Sequence, residues 1–230
     1  GLGGVPAFAI EAACASGTVA LHEAYDAVRS GRCRVAIALG VEQLSTQFSG
    51  PLVPAPSDPE GRTGLAMPAL YALQAERYLQ RYDVDPDLLA HVAVKNKSAG
   101  ARNPRAHLGD RAPTLDDVLE SRAIAGHRPS VSWGTAGPVV PGGFDPGRYT
   151  ARRALDAADV RLDDVDVFEV HDAFTIGEVL TVEAIGLAEP GQGAELAAAG
   201  HTAIGGRSPV NPSGGLLSRG HPLGATGLAQ

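Results

Sequence analysis

The chain has 230 residues, 44% hydrophobic and 20% charged, enough for one large folded domain or two small ones. A formal net charge of −7 excludes a basic nucleic-acid footprint, while local arginines and helix N-termini can still hold an anionic ligand. No apolar run reaches membrane-spanning length, the opening GLGGVPAFAI lacks the basic flank of a secretory signal, and two cysteines make neither a disulfide framework nor a metal cluster, so a reducing, cytoplasmic setting is expected.

In chain order, Val5 to Ala12 reads as a short apolar strand running into Cys14-Ala15-Ser16-Gly17. Thr18 to Ser30 has helical spacing, with Val19, Ala20, Ala24, Ala27 and Val28 on one face and Gly31 as its stop. Arg34 to Glu42 is apolar without alternation. That pattern predicts a strand buried on both faces, as in a parallel sheet covered by helices. Ser49 to Gly64 is a Pro- and Gly-rich loop, Ala69 to Tyr82 a helix, and Asp87 to Lys95 a second short helix. Asn96 to Pro113 reads as irregular and carries Arg102, Arg105 and Arg111. A second block follows: helix Tyr149 to Asp159, strand Val165 to Val170, helix Thr175 to Leu187. The chain closes as GATGLAQ opens another helix.

Three stretches have the composition of chemistry. Cys14 stands where a strand meets a helix, so free N–H groups and the helix dipole are predicted to lower its thiol pKa and make it a nucleophile. A buried structural cysteine is the alternative, and it is the reading given to Cys33. His171-Asp172 follows VDVFEV at a strand's carboxyl end, where ligands gather in open α/β sheets; a local turn-capping histidine is the alternative there. His221 lies within NPSGGLLSRGHPLGATG, Asn211 to Gly227, among glycines that let main chain approach a ligand, with Pro222 fixing the backbone after it. His22, His91, His107, His127 and His201 lack such settings. One cysteine at a helix N-terminus with two histidines at turns is a parts list for thiol-based acyl transfer. Nucleotide-triphosphate and dinucleotide fingerprints are absent.

EAACASG with its helix, VFEVHDAFT and the Asn211–Gly227 motif together resemble the thiolase family, in particular its SCP2-type (sterol carrier protein x-like) branch, where the motif after the strand begins His-Asp as at His171-Asp172. The resemblance also takes in VAIALGVEQLS and VKNKSAGARNP. It implies an α/β protein of the thiolase fold, layered αβαβα, in two related strand–helix halves with parts of both missing: residues 1–50 and 127–230, separated by a loop domain at 51–126. The implied activity is ping-pong acyl transfer between 3-ketoacyl-CoA and CoA, with coenzyme A as substrate and no resident cofactor or metal. Cys14 would carry the acyl group. His221 would activate Cys14 and help bind the thioester oxygen, and His171 would serve the other oxyanion site, so that both histidines flank the sulfur. Ser213, Gly214, Gly215, Gly220 and Gly224 would line the path of substrate and CoA.

The same resemblance places a second, acid–base cysteine in a motif beyond Gln230, and a further core strand where Leu119–Gly126 here passes straight into His127–Ser130. Residues are therefore expected to be missing between Val118 and Ser132. A homodimer or higher oligomer is implied, and an OB-fold-type accessory protein would accompany a retro-aldolase of sterol side-chain CoA thioesters, the second reading. A non-catalytic acyl-CoA-binding subunit of the same fold is the third.

Overall fold

A computed structural model of the chain describes residues 4–47, 50–59, 61–122 and 145–230. Most of the stretch expected to hide missing residues, and the 126/127 boundary, lie outside them. Among the described residues there are ten α-helices: α1 Ser16–Arg29, α2 Leu44–Gln47, α3 Met67–Tyr82, α4 Leu88–Gly100, α5 Leu115–Leu119, α6 Pro146–Ala158, α7 Thr175–Ile185, α8 Gly193–Ala198, α9 Gly215–Arg219 and α10 Leu223–Ala229. None is long and apolar enough to cross a membrane.

Local chemistry sets several of these ends. A capping box starts α5: Asp117 N–H donates to the Thr114 hydroxyl at 3.1 Å, and Thr114 N–H donates to the Asp117 carboxylate at 2.8 Å. Asp145 caps α6 by accepting from the N–H groups of Gly147 and Arg148. Helix α3 buries Tyr71, Ala75, Tyr78 and Leu79, spaced as one helical face, and stops at Asp83 in left-handed geometry. Helix α4 runs five residues past its predicted end, taking Asn96 to Gly100 out of the expected irregular segment. Its buried face continues through Asn96, Ala99 and Gly100, so packing overrides their weak helix propensity.

The three predicted strands are extended backbone without ladders. Among the described residues the one β pairing is a single parallel bridge, Phe168 to Val210. Strand assignment requires a paired neighbour, and Val5–Ala12 and Arg34–Glu42 find none there. Burial on both faces is also overturned for Arg34–Glu42, since Val35, Ile37, Leu39 and Val41 are each more than three-quarters exposed.

The chain divides into two compact units. The first joins Gly1–Ser49 to His221–Gln230, and the second is Gly50–Gly220. In the first, α1 packs on α10 through small residues: Thr18 Oγ1 donates to the Gly227 carbonyl at 3.3 Å, and a Cβ on Gly17 would crowd Leu228. Glu42 accepts from Gly224 N–H at 3.1 Å, anchoring the start of α10 to the extended segment. The second unit is built around α4, whose Leu89, Val92 and Ala93 pack with Val118, Ile176, Val179 and Ala194. A second cluster, Phe168, Val170, Val182 and Val210, sits around the parallel bridge.

Candidate active site

Cys14 lies in a short 3-10 turn, Ala13–Ala15, immediately before α1. Ala13 has φ +48°, a left-handed conformation that is costly for a residue with a Cβ. Its neighbours hold it there. Ala13 N–H donates to Glu11 Oε1 at 3.0 Å, Ala12 N–H donates to the Ser16 hydroxyl at 2.8 Å, and that hydroxyl donates to the Ala13 carbonyl at 2.7 Å. The turn that aims Cys14 is thus clamped by main-chain bonds to Glu11 and Ser16.

In the same unit, His221 Nε2 stands 3.1 Å from the Cys14 sulfur. The two are 207 positions apart in sequence and meet because α10 packs on α1. The other ring nitrogen, Nδ1, is 2.7 Å from the hydroxyl of Thr226, which donates to the Pro222 carbonyl at 3.0 Å. The predicted depression of the thiol pKa is not found. Burial pushes the Cys14 thiol above its ordinary value and outweighs the opposing backbone hydrogen bond. A nucleophilic thiolate at this position therefore needs a proton acceptor, and the imidazole is within reach. Cys33 is partly buried and unbridged, and lies just before the extended segment.

His171 belongs to the second unit. Burial holds its imidazole below the ordinary histidine pKa, so at neutral pH it is uncharged and can still donate one N–H. The segment carrying it is zipped to the glycine-rich stretch. Phe168 N–H donates to the Pro209 carbonyl and Asn211 N–H to the Phe168 carbonyl, at 2.9 and 2.8 Å. Beyond that point side chains replace the ladder. Asn211 Oδ1 accepts from Val170 N–H, Glu169 accepts from both the N–H and the hydroxyl of Ser213, and Asp172 accepts from Leu216 N–H at 2.7 Å.

Asp172 is fully buried, as are its neighbours Asn96, Glu178 and Asn211. Asn96 Nδ2 donates to Asp172 and to Glu178, each at 2.7 Å, Asn211 Nδ2 donates to Glu178 at 2.8 Å, and Lys95 pairs with Glu178 at 2.9 Å. Gly215 has φ +59°, and a Cβ there would run into the Asp172 carboxylate. At Gly214, φ is +101° and a Cβ would strike the Gly100 backbone. The glycines that the sequence reading gave to ligand approach are thus also required by close packing of this motif on α4 and on Asp172. The same holds for Ser213, whose N–H and hydroxyl are both engaged by Glu169. Gly220 ends α9 and Gly224 lies in α10.

Sequence reasoning missed Glu11, Thr226 and the Lys95–Asn96–Glu178 group. For Thr226 a signal existed: a hydroxyl residue one helical turn into α10, five positions after His221.

Residues 1–113 match the family model "Thiolase, N-terminal domain", and residues 142–230 match "Thiolase C-terminal domain-like". An acetyl-CoA acetyltransferase of Methanothermobacter thermautotrophicus is 34% identical over 271 aligned positions, covering all of this chain and 70% of that protein. Sterol carrier protein 2 of Gallus gallus is 30% identical, again over the whole chain, which spans 52% of its length. Among solved structures, one described as "Ltp2-ChsH2(DUF35) aldolase" matches with a TM-score of 0.74 at 22% identity, over 94% of this chain and 68% of that one; this similarity shows the fold.

Proposed function

Since the chain belongs to the thiolase family, we propose that it is an acyl-CoA C-acyltransferase of the SCP2 type. Cys14 carries the acyl group, His221 is its base, and His171 is a neutral donor to a thioester or keto oxygen. The observation that carries the reading is the 3.1 Å approach of His221 Nε2 to the Cys14 sulfur.

In the cleavage direction the thiol proton passes to Nε2 as sulfur attacks the 3-keto carbon. The bond between the α and β carbons then breaks, leaving the shortened acyl group on Cys14 and the enolate of acetyl-CoA. That enolate takes a proton from the acid that the family places in a second cysteine. The thiol of CoA gives its proton to the thiolate that the second cysteine has become and attacks the acyl-enzyme, and the proton held on His221 Nε2 returns to the departing Cys14 sulfur. Oxygen gains negative charge at each addition, and each fixed donor to it contributes about 3 kcal/mol. A neutral imidazole suits that donor role, and the buried setting of His171 keeps it neutral.

The assay is acetyl-CoA release from a 3-ketoacyl-CoA that depends on added CoA. CoA-independent cleavage of a 3-hydroxyacyl thioester would support the retro-aldolase reading in its place, and binding without turnover a non-catalytic subunit. Iodoacetamide should modify Cys14 ahead of Cys33, and pre-incubation with acyl-CoA should protect it. Preferential labelling of Cys33, read by peptide mass spectrometry, overturns the assignment. We further propose a homodimer in a reducing, cytoplasmic setting. Exposed Val35, Ile37, Leu39 and Val41 give the first unit a row of apolar side chains to cover. Light scattering that returns the mass of a single chain at all working concentrations contradicts the dimer.

A further inference from the structure

We propose that Thr226 is a positioning residue for the thiol–imidazole pair, fixing the His221 tautomer so that Nε2 presents a lone pair to Cys14. The proposal rests on the acyl-transfer reading above and assigns a role within that site.

A threonine hydroxyl has one proton and two lone pairs. The Pro222 carbonyl accepts the N–H groups of Ala225 and Thr226 at 2.9 Å each and also the Thr226 hydroxyl at 3.0 Å, the back-bonding geometry of a helical threonine, and this directs the hydroxyl proton away from the imidazole. The lone pairs of Oγ1 then face Nδ1 at 2.7 Å, and Nδ1 must supply the proton of that contact. An imidazole protonated at Nδ1 and neutral overall is unprotonated at Nε2, the nitrogen 3.1 Å from the Cys14 sulfur. The opposite tautomer would set an Nε2 hydrogen against the thiol and require the Thr226 proton to leave the Pro222 carbonyl and turn to Nδ1.

Position agrees with the role. Thr226 is buried, and Pro222, just after the imidazole, both precedes α10 and offers the carbonyl that orients the hydroxyl. A threonine here for packing alone would be replaceable by valine, which has the same shape.

The test uses the full chain labelled with nitrogen-15, and the probe of reactivity is iodoacetamide. In the wild type the ring-nitrogen resonances of His221 should report Nδ1–H and a bare Nε2; an Nε2–H tautomer overturns the proposal without any variant. Thr226→Val should lower the alkylation rate of Cys14 about tenfold and kcat about 100-fold, with KM changed less than about threefold. Thr226→Ser, which keeps the hydroxyl, should restore both. Val and Ser variants with equal rates, or a Val variant at wild-type rate, overturn it. A Val variant too unstable to assay leaves the decision to the wild-type spectrum and to the Ser variant, which must then keep the wild-type tautomer and rate. Alkylation and tautomer need no acyl substrate. A wild type with the expected tautomer that transfers no acyl group therefore sinks the acyl-transfer reading alone.

Discussion

Cys14→Ala is expected to abolish acyl transfer, with kcat falling by about 10⁴-fold or more, while the thermal melt moves little. The first half of the expectation follows from covalent catalysis: without the sulfur there is no acyl-enzyme, and His221 Nε2 loses the thiol whose proton it would take. The second half follows from how the turn is held. Ala13 is kept in its left-handed conformation by Glu11 and Ser16 through main-chain bonds, none of which involves the sulfur. Removing one half-buried sulfur forfeits about 1 kcal/mol of packing. Cys14→Ser should be nearly as inactive, because a serine hydroxyl is a far weaker acid than a thiol already raised by burial. Two measurements check this: CoA-dependent release of acetyl-CoA, and the mass gain of an acyl-enzyme after incubation with 3-ketoacyl-CoA. An alanine variant that keeps more than about one per cent of wild-type turnover removes Cys14 from the nucleophile role.

The local parts of this site were legible in the sequence, and the long-range parts were not. Helix α1 and its stop at Gly31, helix α3 and the start of α7 follow from apolar spacing and, at Gly31, from a glycine that accepts positive φ, whereas α7 ends at Ile185, before the expected Leu187, because Gly186 turns left-handed there. Cys14 and His221 were legible as candidates from their neighbours. What no spacing could show is that Nε2 comes to 3.1 Å of the sulfur, since that depends on α10 packing against α1 across most of the chain. The thiol pKa was misjudged because a helix N-terminus can be read from sequence while desolvation cannot. The strand over Arg34–Glu42 was misjudged as doubly buried for a related reason: an apolar run states a demand for cover and does not say whether a neighbour supplies it. The buried group around Asp172 draws on Lys95 and Asn96 from α4, Glu178 from α7 and Asn211 from the glycine-rich stretch. Each looks like an ordinary polar surface residue until the fold brings them together.

That group carries the second large effect. Lys95→Met should destabilise the second unit by about 3–5 kcal/mol near pH 8, because it leaves the Glu178 carboxylate buried without its cation. Lys95 donates to Glu178 at 2.9 Å, to Asn96 Oδ1 at 2.5 Å and to the Val210 carbonyl at 2.7 Å, and its side chain is 6% exposed against 1% for Glu178. One lysine serves two carboxylates. Burial, and then the charge of Glu178, push the Asp172 pKa up to about 7, against the pull of Leu216 N–H, Lys95 and Asn96. An unfolded aspartate titrates near ~3.9. Between those values the folded state holds a proton that the unfolded state has released, so stability falls as pH rises. The contribution of Asp172 is complete below about pH 4 and is lost as pH passes through about 7. Removing Lys95 removes one of the influences that favour ionised Asp172, so the fall with pH should steepen, and the cost of Lys95→Met should shrink toward pH 5 as Asp172 takes up its proton. Asp172→Asn, which has no carboxyl to titrate, should gain stability relative to the wild type as pH rises from about 5 to about 8. Urea melts of the three proteins at both pH values decide the matter, and differences between proteins at one pH cancel the titration of every other group. A Lys95→Met penalty that is the same at pH 5 and pH 8 would mean that Lys95 serves by packing, with its charge immaterial to the buried acids.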